Sequence, residues 1–325
     1  MFGPLIIAYL FVGGMGAAAA AVLGVIGITW ALRDAAIVLP LRGKRPYVAA
    51  SEDIPTARLL AGGFAAATVC VVAGVACLAL DVGRIENIAA LLVPRLTYLT
   101  FGAYALAACV AFSAAAGLLW AVRPRPVRRS LFLFVHGAAV VAGACVVGYT
   151  SVLLASMPAV PLWNSPFLTT LFALSSASCG IALVLAAAHF ALARDGAARF
   201  RRAIRSLSLV DVGCVLLEAA SLALLVGFAL APAEHPANGT DEALAASVQK
   251  LLFGESSWLF WAVFVGAGLM AALALDVLTA LRPRWRPAGF AACACVMAGG
   301  LALRWCAIAC AAHPTIQAAS LAAGG

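Results

Sequence analysis

The chain is predicted to be an all-α, polytopic membrane protein, and three observations predict it. Its 325 residues are 65% hydrophobic and only 10% charged, with a mean hydropathy of +1.07, which is more apolar surface than one soluble core can bury. Eight apolar runs are long enough for a membrane helix, which needs about 20 such residues; they cover 4–32, 59–80, 97–122, 130–157, 167–193, 207–231, 251–281 and 287–311. These runs are rich in Ala, Leu, Val and Gly and lack the apolar/polar alternation of a transmembrane strand.

The first run has no basic residue ahead of it and exceeds the length of a signal-peptide apolar region, so it is read as the first span. Lys and Arg then set the orientation, because basic residues beside span ends are retained on the cytoplasmic side. Arg33, Arg42, Lys44, Arg45 and Arg58 follow span 1; Arg123, Arg125, Arg128 and Arg129 follow span 3. Arg194, Arg199, Arg201, Arg202 and Arg205 follow span 5, and Arg282, Arg284 and Arg286 follow span 7. These are 17 of the 21 basic residues, so both termini are expected outside. A missed or spurious span would scramble this alternation. The net charge of +8 therefore reads as membrane topology, and nucleic acid is not an expected partner.

Arg123-Pro-Arg-Pro after span 3 and Arg282-Pro-Arg-Trp after span 7 echo each other. The echo fits two four-helix bundles, residues 1–160 and 161–325. All ten cysteines fall within spans, without a CxxC or a loop pair at metal-ligand spacing. They read as packing residues, and neither a metal site nor an iron–sulfur cluster is expected in this chain.

An ionisable side chain in hydrocarbon costs about 2.5–3.5 kcal/mol on insertion scales, so each needs a partner, a cavity or a role. Asp211 and Glu218 lie seven residues apart in span 6, on one helical face. They are either steps of a proton path or carboxyls that fasten helices together. Asp276 is expected to form an interfacial ion pair near Arg282. Glu255 and Arg304 are placed at similar depth, so the two are candidates for a pair. His136 and His189 both lie toward the basic side, where two facing histidines would suit a haem.

The most polar interruption of the chain is 148–180, which passes through Pro158, Pro161 and Pro166 around Trp163-Asn164. Span 2 ends in Asp81-Val-Gly-Arg84, and Tyr149 sits near the end of span 4. One layer at the outer face thus holds an acid, a phenol, an amide and an indole. An interfacial anchoring role suits Trp163. The same set suits a quinone, whose carbonyls need donors and whose redox cycle needs proton acceptors beside an apolar cleft.

These residues resemble a family. Gly148-Tyr-Thr, Pro161-Leu-Trp-Asn-Ser-Pro and Ser178-Cys-Gly180 are similar to the span 4–5 signature of the NrfD/PsrC (polysulfide reductase membrane subunit) family. Asp81-x-Gly-Arg84 matches its (Asp/His)-Leu-Gly-Arg-Pro element, with Ile85 where Pro is usual. Tyr9 with Gly13-Gly14 looks like the family's first helix, without an assisting histidine there. Arg304 with His313 is similar to the last helix of dimethyl-sulfoxide-reductase anchors.

The resemblance implies a membrane anchor subunit of a respiratory oxidoreductase complex in the bacterial inner membrane, either non-catalytic or quinol-oxidising. It would bind menaquinone or menaquinol and exchange electrons with a ferredoxin-like iron–sulfur subunit. A molybdopterin catalytic subunit would complete the complex on the outer face. It implies a quinone site built from Tyr149, Asp81, Arg84, Asn164, Trp163 and Tyr9. Asp211, Glu218, Glu255 and Arg304 are the candidates for a proton path, and no haem is expected in this chain. Two other classes remain open at this point: a proton-coupled secondary transporter using the span 6 carboxylates, and a di-haem subunit using His136 and His189.

Overall fold

The computed structural model describes residues 3–33, 47–48, 54–82, 98–122, 127–157, 160–195, 198–231 and 239–311. Among these, nine helices form: α1 (Pro4–Arg33), α2 (Ile54–Val82), α3 (Tyr98–Ala121), α4 (Arg129–Leu153), α5 (Pro166–Asp195), α6 (Ala198–Ala229), α7 (Gly239–Phe253), α8 (Leu259–Ala271 continuing as Ala272–Leu281) and α9 (Arg286–Ala309). All except α7 are long and apolar enough to cross a membrane, which makes eight spans. The chain is an all-helical, multi-pass membrane protein.

Proline begins several of these helices. Pro4 and Pro166 open α1 and α5, and Pro287 lies in the first turn of α9; proline's fixed φ suits a position whose N–H would be unbonded anyway. Between α4 and α5 the prolines prevent a continuous helix. The chain instead runs through short turns, with Met157 N–H donating to the Leu154 carbonyl at 3.1 Å and Trp163 N–H to the Val160 carbonyl at 3.0 Å.

The eight spans divide into an inner and an outer set. In the most apolar stretches of α5, α1 and α9, 67%, 61% and 56% of residues are buried, against 28% in α2 and α6. α1 packs on α2 and α4, and also on α5 and α9. It can do so because its centre holds Gly13-Gly14 and a run of small residues from Gly16 to Ala21. Close backbone approach holds it there, together with buried side chains such as Leu10 and Leu23. A Cβ on Gly180 of α5 would stand 2.5 Å from Ala18 Cβ, and one on Gly143 of α4 would strike the Ala17 carbonyl. Large apolar side chains on the peripheral helices, such as Val69, Phe134, Leu217 and Phe228, point away from the bundle, where lipid solvates them.

Three boundaries differ from the sequence reading. α6 starts at Ala198 rather than near 207, because the helix continues through an Arg-rich first section whose charged ends reach toward water. Residues 239–253 form the separate helix α7; polar residues dilute its apolar pattern, so hydropathy marks no helix. The expected run 251–281 breaks at Gly254, whose N–H donates to the Lys250 carbonyl at 2.9 Å. α8 then begins as a 13-residue π-helix, and the Ala272 N–H donates to the Ala267 carbonyl five residues back. A two-residue antiparallel ladder, Tyr47–Val48 with Val127–Arg128, joins the connections that follow α1 and α3.

Candidate functional site

Tyr9 of α1 is fully buried and Tyr149 of α4 nearly so. Their side chains are close neighbours in the bundle. Tyr9 Oη nevertheless has no partner of full hydrogen-bond geometry, so a buried hydroxyl retains unused capacity. Glycines make room for both rings. A Cβ on Gly102 of α3 would collide with the Tyr149 ring, and one on Gly13 would sit 3.4 Å from the Tyr9 ring. Gly74 of α2 approaches the same ring edge, where a Cβ would lie 3.6 Å from Tyr9 Cδ2. Four helices thus converge on two phenols.

Asp81, at the end of α2, is exposed. Its Oδ1 lies 3.2 Å from where a Cβ on Gly3 would be, so it borders the start of α1, six residues before Tyr9. Arg84 and His313 lie outside the described residues. Asn164 is exposed. Trp163 is buried and donates its indole N–H to the Ala307 carbonyl at 2.9 Å. This ties the proline-rich connection to α9, so Trp163 anchors the protein's own loop in place of a membrane surface.

Next to the tyrosines stands Arg304, fully buried in α9. Its Nε donates to the Leu10 carbonyl at 3.1 Å, and its Nη2 donates to Ser176 Oγ at 2.6 Å. Nη1 donates to the Gly300 carbonyl at 2.7 Å and to Ser175 Oγ at 3.3 Å. The rings of Phe11 and Phe172 lie 5.7 and 5.4 Å from the guanidinium carbon, a cation–π cradle that replaces some of the lost hydration. The sequence suggested Glu255 as its partner. Glu255 is instead exposed in the turn between α7 and α8, while the Arg304 donors go to the helix interior.

Glu218 and Asp211 of α6 are both buried, and Glu218 lies within electrostatic reach of Arg304 on one side and Asp211 on the other. Asp211 neighbours Ser178 and Asp276. The ion pair expected for Asp276 near Arg282 does not form: its side chain is buried against Asp211. α6 and α8 pack together and bring these two carboxyls close in an apolar bundle, where an ionisable side chain calls for a partner or a role. Arg304, Glu218, Asp211 and Asp276 form one buried series. Ser175, Ser176 and Ser178 belong to it and were missed as site residues, although three serines within one apolar span were a visible signal.

The two histidines do not face each other. His136 Nε2 accepts from the Trp120 indole at 2.8 Å and its Nδ1 donates to the Phe132 carbonyl at 2.9 Å; an acceptor at Nε2 requires the proton on Nδ1. Both nitrogens are used. His189 packs on Gly289 of α9 and beside Phe290. The bis-histidine arrangement considered from sequence is therefore not built from this pair. All ten cysteines are free thiols, and no cluster of His, Cys, Asp or Glu that could hold a metal ion occurs among the described residues.

A search among curated proteins finds no match. The family model described as "Polysulphide reductase, NrfD" matches residues 1–314, a span that takes in all eight membrane helices, both tyrosines and the buried ionisable series. The chain belongs to the NrfD polysulphide reductase family.

Proposed function

We propose that this chain is the quinone-interacting membrane subunit of a bacterial inner-membrane oxidoreductase complex. It would exchange electrons with a ferredoxin-like iron–sulfur subunit, with a molybdopterin subunit carrying the terminal chemistry outside the membrane. The observation that carries the reading is the buried Tyr9–Tyr149 pair, an under-used donor in a glycine-lined, apolar setting. Menaquinol, the substrate class that fits, brings two electrons and two protons. Tyr149 donates a hydrogen bond to a headgroup oxygen, and Tyr9 holds Tyr149 in place. Asp81, within a helical turn or two of the start of α1, accepts or returns a proton at its carboxylate; Arg84 holds Asp81. Asn164 helps fix the headgroup, and Trp163 fixes the loop that carries Asn164.

Arg304, Glu218 and Asp211 are proposed to continue from this site as a proton path, supported by their continuous burial. Glu255, exposed at the end of the bundle away from the basic loops, stands where such a path would meet water. In this division of labour the half 1–160 binds quinone and the half 161–325 carries the intramembrane carboxylates.

The test is Tyr149→Phe in the purified complex. Assembly with the iron–sulfur subunit should persist while turnover with a quinol analogue falls roughly tenfold or more. Wild-type turnover would remove Tyr149 from the mechanism, and a chain that purifies without any iron–sulfur protein would overturn the anchor reading.

A further inference from the structure

The basic end of the bundle contains a feature that topology alone does not require. The turn between α8 and α9 and the first section of α6 enclose an open cleft of about 610 Å³ lined by Arg201, Leu281, Arg282, Pro283, Arg284 and Trp285. One arginine of α6 and two of the α8–α9 turn therefore line one space. Among the described residues that line it there is no carboxylate. Trp285 also occupies the N-cap of α9 without a side-chain cap, which leaves the positive end of a 24-residue helix at the cleft.

The apolar walls continue from the same place. Met270, Ala274, Val277 and Leu281 are exposed and recur at spacings of four, three and four along α8, one continuous helical face. Across the cleft, exposed Arg205 and Leu209 follow Arg201 along α6 at intervals of four. The half-exposed ring of Trp285 suits the headgroup level, where aromatic side chains gather.

We infer that this cleft is a binding site for the phosphate headgroup of an anionic glycerophospholipid, such as phosphatidylglycerol. The α8 face from Leu281 to Met270 carries one of its acyl chains. Arginine suits this ligand because its planar fork donates two parallel hydrogen bonds to phosphate oxygens. A water-soluble anion would use the arginines but not the apolar track, and a zwitterionic lipid would place its own cation among three others. The site lies apart from the Tyr9–Tyr149 pair and does not depend on the quinone reading.

The experiment is native mass spectrometry of the full chain after exchange from nanodiscs that mix phosphatidylglycerol with phosphatidylcholine. Wild type should retain phosphatidylglycerol selectively. Arg201→Gln/Arg282→Gln/Arg284→Gln should lose that retention by roughly tenfold or more, as expected when several arginines leave a lipid headgroup. Arg128→Gln/Arg129→Gln, at the same end but outside the cleft, should not change it. Equal retention by the cleft variant, equal loss in the control, or displacement of the lipid by millimolar inorganic phosphate would each overturn the proposal. A second measurement needs no substitution. A photoactivatable phosphatidylglycerol should label the wild-type peptide containing Leu281–Trp285, whereas labelling spread evenly over the lipid-facing helices would overturn the assignment.

Discussion

Arg304 Nε donates to the carbonyl of Leu10 at 3.1 Å, a contact between residues 294 positions apart in the chain. It joins α9 to α1 one residue beyond Tyr9, so the buried cation and the tyrosine pair share a single stretch of backbone. Arg304→Met would leave two serine hydroxyls and two carbonyls with fewer donors, and Glu218 without its cationic neighbour. Breaking such buried charge interactions typically costs about 3–5 kcal/mol. The expected outcome is a lower yield of monodisperse protein and an earlier thermal loss of it in detergent, with Arg304→Lys intermediate because it keeps charge but not the fork. Unchanged thermal behaviour would mean that the network contributes little.

Gly102→Ala tests how tightly the tyrosine site is built. Its new methyl would occupy the place of the Tyr149 ring, so the ring must move. Quinol-dependent turnover is expected to fall by an amount similar to Tyr149→Phe, with the helices still assembled. Combining the two substitutions should add little further loss, because both act on one side chain. Fully additive losses would separate Gly102 from Tyr149.

Trp120→Phe removes the indole donor that reaches His136 Nε2. Leaving that buried acceptor unsatisfied should destabilise the protein by about 1–3 kcal/mol, measured as earlier thermal aggregation. Turnover per folded molecule should be unchanged, since the pair sits among Trp30, Phe64 and Phe132 and not beside Tyr149. A specific activity loss without destabilisation would give His136 a role in the reaction.

Glu218→Gln preserves size and hydrogen bonding but cannot exchange a proton. If the buried series conducts protons, the complex reconstituted in liposomes should keep its electron-transfer rate while its internal pH change disappears. Should proton movement persist at the wild-type level, Glu218 and Asp211 act as fasteners between helices.

Residues that decide the fold were legible one at a time. The length of each apolar run, the position of Arg in alternate connections and the prolines at 158, 161 and 166 each act locally, through transfer into lipid or a missing N–H, so all eight spans could be recognised, although the starts of α6 and α8 lie eight or nine residues from the expected ones. α7 and the break at Gly254 were not legible because polar dilution hides a helix from hydropathy. Within the site, Tyr9 and Tyr149 could be named as chemistry-bearing side chains from their setting and the family resemblance. Arg304 and Asp276 show the limit of that reading. Charge and depth suggested Glu255 and Arg282 as their neighbours, but depth fixes only one coordinate of a helical residue, and the direction it faces depends on which helices lie against it. That arrangement arises from close approach through Gly102, Gly143 and Gly180. The chain by itself therefore determined eight membrane helices and the residue types available for chemistry. Only the tertiary structure decided that α1 lies at the centre, that Tyr9 meets Tyr149, and that Arg304, Glu218, Asp211 and Asp276 form one series, because those contacts depend on backbone packing between helices distant in sequence.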